Sequence, residues 1–232
     1  MRFTISIFLI ILISYVQTSF AKKYSPILIT FSPIIKEEQL VLHKRYVLKD
    51  SDTLSIENLR FYISGIQLFN NNNLVWKEKN SFHLIDQEDT KSKIISLTVN
   101  KNILYNKVSF NLGIDSLTNV SGAYGGDLDP TKGMYWTWQS GYINLKMEGI
   151  SSLCGTNNHE FQLHLGGYQA PYNSLQYITL SIDNPKKINI LLDMSEVMKS
   201  IHLKKEHHIM SPSDSAVKHS NTIANCFKIA SP

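Results

Sequence analysis

The stretch YGGDLDPTKGMYWTWQSGYINLKMEG, residues 124–149, decides how this chain is interpreted. It contains two of the three tryptophans, Trp136 and Trp138, next to a glycine-rich segment. Side chains alternate between the two faces of a strand, so an extended segment 134–148 places both indoles on one face. A helix would separate the two rings by roughly 200°. The sequence therefore predicts a strand on which the two tryptophans act together, in a core or along a site.

The same alternation continues beyond Gly141. One set of side chains is apolar and is predicted to face a core: Ile143, Leu145 and Met147. The intervening set is predicted to face solvent: Tyr142, Asn144, Lys146 and Glu148. A period of two is typical of a half-buried strand.

The rest of the chain is also typical of short strands separated by polar turns. The predicted strands are 27–35, 40–48, 59–63, 74–76, 82–85, 94–99, 107–112, 160–165, 176–182 and 188–192. This pattern predicts an all-β fold, an antiparallel β-sandwich of the immunoglobulin-like or jelly-roll-like kind. One short helix is predicted at 193–199, with Ser195 as its cap. The predicted domain is 22–199, and a polar, Lys-, His- and Ser-rich extension, 200–232, is predicted to be a loop or tail.

Residues 1–21 have the features of a signal peptide. Arg2 is followed by an apolar run, 5–16, and by Ser19-Phe20-Ala21, a small-x-small cleavage pattern. The apolar run is too short to span a bilayer, so no membrane anchor is expected after cleavage. The sequence therefore predicts an exported protein, periplasmic or secreted.

The charge and the cysteine content bear on which classes of function are expected. The formal net charge of +4 is scattered along the chain rather than concentrated in a basic patch, so nucleic acid is not an expected partner. Cys154 and Cys226 are the only cysteines. In an oxidising compartment they are predicted to form one disulfide, the alternative being two unpaired thiols. Neither lies in a CxxC motif, which argues against thiol redox catalysis.

The sequence contains none of the motifs GxSxG, HExxH or a phosphate-binding glycine loop, and this disfavours an enzyme. Histidines within predicted strands are the remaining candidates for chemistry. His164 precedes Gly166-Gly167, His83 lies in FHLID and His43 is a third candidate. A lone strand histidine is more often a surface or hydrogen-bonded residue than a ligand. The extension contributes further histidines that are interpreted as solvated: His202, His207, His208 and His219.

Five blocks of the sequence, taken in order, resemble the MbnP-like copper-binding domain. They are LRFYISGIQLF (59–69), FHLID (82–86), FNLGIDSLTN (110–119), LDPTKGMYWTWQSGYINLKMEG (128–149) and FQLHLGGY (161–168). The resemblance covers about residues 27–192. The long WxW block with its GYINLKMEG continuation is the specific part.

The resemblance implies an exported β-sandwich that binds one copper ion and is not itself an enzyme. It also implies a partner, a di-haem peroxidase of the MauG/MbnH type, that oxidises a WxW tryptophan to kynurenine. Carried over to this chain, the modified residue is Trp136 or Trp138, with Trp136 favoured. The implied copper ligands are His164 first and His83 second.

The chemistry fits copper. An indole offers only an N–H donor and cannot bind a metal. Opening its pyrrole ring gives an aryl amine and a ketone, and such a weak donor beside imidazoles suits copper.

Two alternatives remain open. Trp136, Trp138, Tyr124 and Tyr142 could form a stacking platform for a sugar or peptide without a metal. The domain could also keep the fold without the metal, with the tryptophans serving as core. Two imidazoles within reach of one indole would favour copper, and histidines far from both indoles would favour the binding module.

Overall fold

Fifteen β-strands and three α-helices make up the regular structure of residues 24–48, 51–183 and 185–230, the part of the chain that the computed structural model describes. The strands are β1 (Tyr24–Ile35), β2 (Glu38–Gln39), β3 (Tyr46–Val47), β4 (Thr53–Asn70), β5 (Asn73–Lys77), β6 (Phe82–Asp86), β7 (Ile94–Asn100), β8 (Lys107–Leu112), β9 (Tyr135–Trp136), β10 (Gly141–Ser151), β11 (Glu160–Gly166), β12 (Gln176–Ser181), β13 (Lys187–Asp193), β14 (His208–Ile209) and β15 (Phe227–Ile229). The helices are α1 (Ser116–Val120), α2 (Met194–Ser200) and α3 (Asp214–Ala224), and two 3₁₀ turns span Gly126–Leu128 and Pro130–Lys132. The predicted signal peptide lies outside the described residues.

The strands form two sheets. In the first, β15, β13 and β1 are neighbours, and β7 and β2 pair with successive parts of the other edge of β1. In the second, the 18-residue strand β4 is central. Strands β10 and β8 pair with successive parts of one edge of β4, and β3, β6 and β5 pair along the other edge. β11 and β14 extend the sheet beyond β10, and β12 extends it beyond β8.

Side chains from both sheets share one hydrophobic core. Its centre contains four phenylalanines with edge-to-face ring contacts, Phe31, Phe61, Phe110 and Phe227. Alternate residues of β4, such as Leu59, Phe61 and Ile63, face this core, as the period of two predicts. The predicted all-β sandwich is therefore confirmed. Two strand pairs are parallel rather than antiparallel, β1 with β13 and β11 with β14.

Three local predictions differ from the structure. Segment 40–48 is mostly loop, because Lys44 N–H bonds to the Val41 carbonyl and His43 has a φ of 61°, which together turn the chain before the short β3. The predicted helix forms as α2, but its cap is Asp193 rather than Ser195. The Asp193 carboxylate accepts hydrogen bonds from the backbone N–H groups of residues 195 and 196. Two further α-helices, α1 and α3, are present in the described chain.

The segment after Ser200, predicted to be a loop or tail, is folded. Strand β14 pairs with β11, helix α3 follows, and β15 pairs with β13 in the first sheet. Buried residues of this segment lie in the shared core: Ile201, Leu203, Ile209, Ala216, Ile223 and Phe227. The prediction failed because these apolar residues are spaced widely between lysines and histidines, so no strong periodicity marks them.

The structure does not contain the predicted disulfide. Cys154 and Cys226 are free thiols. Cys154 lies in the turn after β10 in the second sheet, whereas Cys226 leads into β15 of the first sheet, where its thiol donates to the Thr222 carbonyl. Burial raises the pKa of both thiols, that of Cys226 to about 11. Both side chains therefore act as small apolar groups packed with the core.

No helix among the described residues is long and apolar enough to cross a membrane.

Candidate functional site

The two tryptophans of the WxW motif do not lie on one strand, contrary to the prediction. Trp136 ends β9, and Trp138 lies in the four-residue turn that leads into β10. The Gln139 N–H bonds back to the Trp136 carbonyl, and Ser140 takes a φ of 52°, so the chain reverses direction here. Trp136 is only 6% exposed and Trp138 is 65% exposed. The turn still brings the rings together, with centroids 5.8 Å apart and planes inclined by 43°.

Trp136 packs on the outer face of the second sheet, opposite the shared core. Its six-membered ring lies on Gly166, where ring atoms Cζ3 and Cη2 are 2.6 and 2.9 Å from the position that a Cβ would occupy. A small cluster of apolar and aromatic residues surrounds it: Tyr62, Leu84, Ile114, Leu128, Met134, Tyr142 and Ile143. The indole Nε1 is buried, and no described residue accepts a hydrogen bond from it.

His164 lies on β11, two residues before Gly166, and projects from the same face of that strand as Gly166. Residues i and i+2 of a strand project from one face about 7 Å apart, so His164 projects from the face of the sheet on which the Trp136 ring lies. His164 is buried, and its Nε2 lies 2.7 Å from Oε1 of Glu148 on β10. Lys146 is 3.6 Å from the same carboxylate oxygen.

The pKa values of His164 and Glu148 are both lowered, which favours a neutral imidazole and an ionised carboxylate. Burial is the main cause that lowers the pKa of His164, Lys146 lowers it further, and the Glu148 hydrogen bond partly opposes them. Burial alone would raise the pKa of Glu148, but its hydrogen bonds and the positive charge of Lys146 hold that pKa below its ordinary value. The Nε2–H of His164 therefore donates to Glu148, which leaves the Nδ1 lone pair free.

His83, the other predicted ligand, lies on the opposite face of the sheet. It pairs with Ile63, which faces the shared core, whereas His164 pairs with Lys146, and Lys146 pairs with Arg60 on the outer face. His83 Nε2 is 2.9 Å from Oε2 of Glu78, which also accepts the Ser81 hydroxyl at 2.5 Å. The structure therefore does not bring His83 and His164 to one site. His43 is exposed in the loop before β3.

His208 is a candidate that sequence reasoning assigned to a solvated tail. Strand β14 pairs with β11 in parallel so that His208 stands beside Gln162, on the face that also carries His164. A diagonal neighbour on the next strand is about 7–8 Å away, within the combined reach of two imidazoles. His208 is exposed, and its charge contributes to lowering the pKa of His164. No sequence signal marks a two-residue strand, so only the fold reveals this neighbour.

The residues around the tryptophans hold them in a rigid frame. Asn119 of α1 is buried, and its Oδ1 accepts the Tyr142 N–H at 2.8 Å while its Nδ2 donates to the carbonyls of residues 114 and 115. The Tyr142 hydroxyl accepts the Tyr124 N–H at 3.0 Å and donates to the Leu128 carbonyl at 3.1 Å. The glycine-rich segment is thus tied down over the small cluster.

Two side chains predicted to face solvent, Tyr142 and Asn144, are buried. The pairing of β10 with β11 shifts between Ile143 and Leu145, so the regular alternation is interrupted at Asn144. The alternative of a four-ring stacking platform is therefore not formed, since Tyr142 and Trp136 are buried while Trp138 and Tyr124 are exposed.

Comparisons with known proteins agree with this architecture. A family model described as MbnP matches residues 24–213. Among solved structures, "MbnP from Methylosinus trichosporium" shares the fold, with a TM-score of 0.55 and 15% sequence identity over 78% of this chain and 80% of that chain. No curated protein matches the chain significantly.

Proposed function

The chain belongs to the MbnP family, and from this premise we propose that it is a copper-binding protein whose site forms on the outer face of the second sheet. The observation that carries the proposal is the position of Trp136 on Gly166, two residues from the buried His164. An oxidisable indole and a buried imidazole thus share one face of the sheet, at positions separated by two residues of β11. The proposed modification is conversion of Trp136 to kynurenine.

The donor set fits copper in two respects. Metal-binding histidines usually donate their other ring N–H to a carboxylate, and His164 donates its Nε2–H to Glu148 in this way. His208 supplies a second imidazole on the same face. Within the described residues, no group of three or more His, Cys, Asp or Glu side chains could hold a metal. A preformed site of three such ligands is therefore absent from the described residues, and the proposal requires the amine or ketone of a modified Trp136 as an additional donor.

Each residue of the proposed site has a separate task. Glu148 fixes the tautomer and the orientation of His164. Gly166 leaves room for the Trp136 ring, and the cluster around that ring excludes water. Copper, when bound, would be coordinated by imidazole and by the modified residue, as cargo or as a resident ion. The chain itself performs no catalysis in this proposal.

The proposed partner is a di-haem peroxidase of the MauG/MbnH type, and the proposed location is the periplasm or the exterior. The location is supported by the leader-like residues 1–21. The partner is supported by the resemblance of the WxW block and by the burial of Trp136, which prevents direct contact with a large oxidant.

The test is co-expression with an active di-haem peroxidase of this type, followed by mass spectrometry and metal analysis. Trypsin is expected to release residues 133–146, and fragmentation of this peptide locates the modification. We expect kynurenine at Trp136 and about one copper per chain. His164→Ala should abolish tight copper binding, and His208→Ala should weaken it. His83→Ala is the matched control and should retain both properties.

Unmodified Trp136 together with unchanged copper binding in His164→Ala would contradict the proposal. That result would favour the alternative in which the fold is kept without a metal and Trp136 serves as core.

A further inference from the structure

The rings of Trp136 and Trp138 lie close together, and of the two only Trp138 is exposed to a protein docked on this surface. Trp136 is 6% exposed and Trp138 is 65% exposed, and their ring centroids are 5.8 Å apart. Electron transfer between aromatic rings decreases steeply with distance. A ring contact of this kind offers a short path from the buried indole to the surface.

Trp138 and other exposed apolar side chains lie on segments without charged residues, which are bordered by Asp115, Asp127 and Lys132. Three other large apolar side chains are exposed near the β9–β10 hairpin: Leu117, Val120 and Tyr124. Helix α1 and Tyr124 are anchored to that hairpin through Asn119 and the Tyr142 hydroxyl. Segments 116–126 and 133–145 contain no charged residue. We call Leu117, Val120, Tyr124 and Trp138 the Trp138 patch.

In its residue composition, the Trp138 patch is similar to the core of a protein–protein interface rather than to its rim. Aromatic residues are enriched and charged residues are depleted at interface cores. An exposed indole of this size is costly to leave in water, and large exposed apolar patches often mark a binding site. The neutral patch fits a partner with an apolar, uncharged face, and binding should depend little on salt.

From these observations we propose that Trp138 is an electron relay, and that the Trp138 patch is the docking surface for the haem protein that oxidises Trp136. This inference rests on the proposed function. The oxidant is haem iron in the partner that hydrogen peroxide has oxidised. One electron passes from Trp138 to that iron, which is reduced by one unit.

The relay step balances without any change at Trp138. Its radical cation takes one electron from Trp136 and returns to its original state, and no bond forms or breaks at Trp138. The net result is one electron lost by Trp136 and one gained by the haem iron. Trp138 is therefore a relay residue, and Trp136 is the residue that is modified.

The experiment compares two conservative variants with the wild type, using the full chain and the active partner enzyme with hydrogen peroxide. Trp138→Phe keeps an apolar ring that is much harder to oxidise, whereas Trp138→Tyr keeps an oxidisable ring. The time course of kynurenine formation in peptide 133–146 is followed by mass spectrometry. We expect the rate to fall at least tenfold in Trp138→Phe and to be largely retained in Trp138→Tyr.

A second measurement separates docking from electron transfer. Affinity for the partner is measured at low and high salt for wild type, Trp138→Phe and Leu117→Ser. Leu117→Ser should weaken binding, Trp138→Phe should bind nearly as wild type does, and salt should have little effect. Unchanged binding in Leu117→Ser, or strong salt dependence, would overturn the docking surface.

The outcomes distinguish the two proposals. Conversion of Trp136 at the wild-type rate in Trp138→Phe overturns the relay and leaves the proposed function intact. Kynurenine found at Trp138 instead of Trp136 also overturns the relay. If an active partner forms no kynurenine in the wild-type protein, both the relay and the proposed function are overturned.

Discussion

The six-membered ring of Trp136 rests on Gly166, and a Cβ at residue 166 would lie 2.6 Å from ring atom Cζ3. Real side chains do not approach this closely, so the indole can occupy its place only because residue 166 has no side chain. The position of the candidate modified residue therefore depends on a glycine in the neighbouring strand.

Gly166→Ala should displace the Trp136 ring. The added methyl group would also lie 2.8 Å from the Tyr142 carbonyl oxygen. Both the Trp136 ring and the backbone of β10 would therefore have to move. We expect a loss of about 1–3 kcal/mol in the free energy of unfolding, as for other overpacked sites. Urea unfolding monitored by tryptophan fluorescence measures it. Gly155→Ala, where an added Cβ meets nothing within 4 Å, is the control and should change stability little. An unchanged midpoint in Gly166→Ala would show that the ring is not fixed there.

Glu148→Gln should weaken the proposed copper site without removing a ligand. The carboxylate orients His164 through a 2.7 Å hydrogen bond, and loss of such a partner typically reduces metal affinity about 10–100-fold. Competition with a copper chelator measures the affinity of the modified protein. Glu78→Gln makes the same change beside His83, on the other face of the sheet, and should leave the affinity unchanged. Equal effects of the two substitutions would argue against a site at His164.

Stability should fall as the pH is lowered below about 6.5, because burial lowers the pKa of two histidines in the folded state. His219 is fully buried, with Glu206 at 3.3 Å, Lys218 beside that carboxylate and His202 nearby. Below the ordinary pKa of 6.5, the unfolded chain binds protons that the folded chain does not, which favours unfolding. The folded state also lowers the pKa values of Glu148 and Asp193. Protonation of these two carboxylates therefore reduces the stability further at lower pH.

Urea unfolding at several pH values between about 7.5 and 5 checks this expectation. His219→Gln and His164→Gln should each flatten the curve between pH 7.5 and 5, since each removes one buried titrating group. Exposed His43→Gln is the control and should leave the slope unchanged. A wild-type protein that becomes more stable on acidification over this range would contradict the expected direction of the pH dependence.

Asn119→Ala should loosen the frame of the tryptophan hairpin. The substitution removes three hydrogen bonds and leaves the buried Tyr142 N–H without its acceptor. Burying an unsatisfied backbone donor costs about 1–3 kcal/mol. Hydrogen exchange at residue 142 should become faster, and thermal unfolding should occur at a lower temperature. Ser121→Ala, which removes an exposed hydrogen bond to the Leu117 carbonyl, should have little effect on either.

Phe227→Ala should destabilise the whole domain, although residue 227 lies in the segment that was predicted to be a tail. Its ring contacts Phe31, Phe61 and Phe110 in the shared core. Removing a buried phenylalanine side chain costs about 3–5 kcal/mol. Tyr177→Ala, a highly exposed ring on β12, is the control. A midpoint unchanged by Phe227→Ala would mean that the C-terminal segment does not stabilise the sandwich.

The sequence alone determined most of the longer strands, the all-β class and the family resemblance. Apolar residues alternate with polar residues in segments such as 59–63 and 107–112, and a period of two is a local property that needs no tertiary information. It also selected His164 and the WxW pair as candidates.

Only the tertiary structure decided which of these residues meet. Strand pairing placed His164 on the outer face and His83 on the opposite face, and it brought His208 next to Gln162 from 46 residues further along the chain. The turn at 137–140 separated a buried Trp136 from an exposed Trp138. Register, turns and the interruption at Asn144 depend on contacts between distant segments, and a one-residue shift moves every side chain to the other face. Local periodicity therefore predicts strands, and the pairing of strands decides the site.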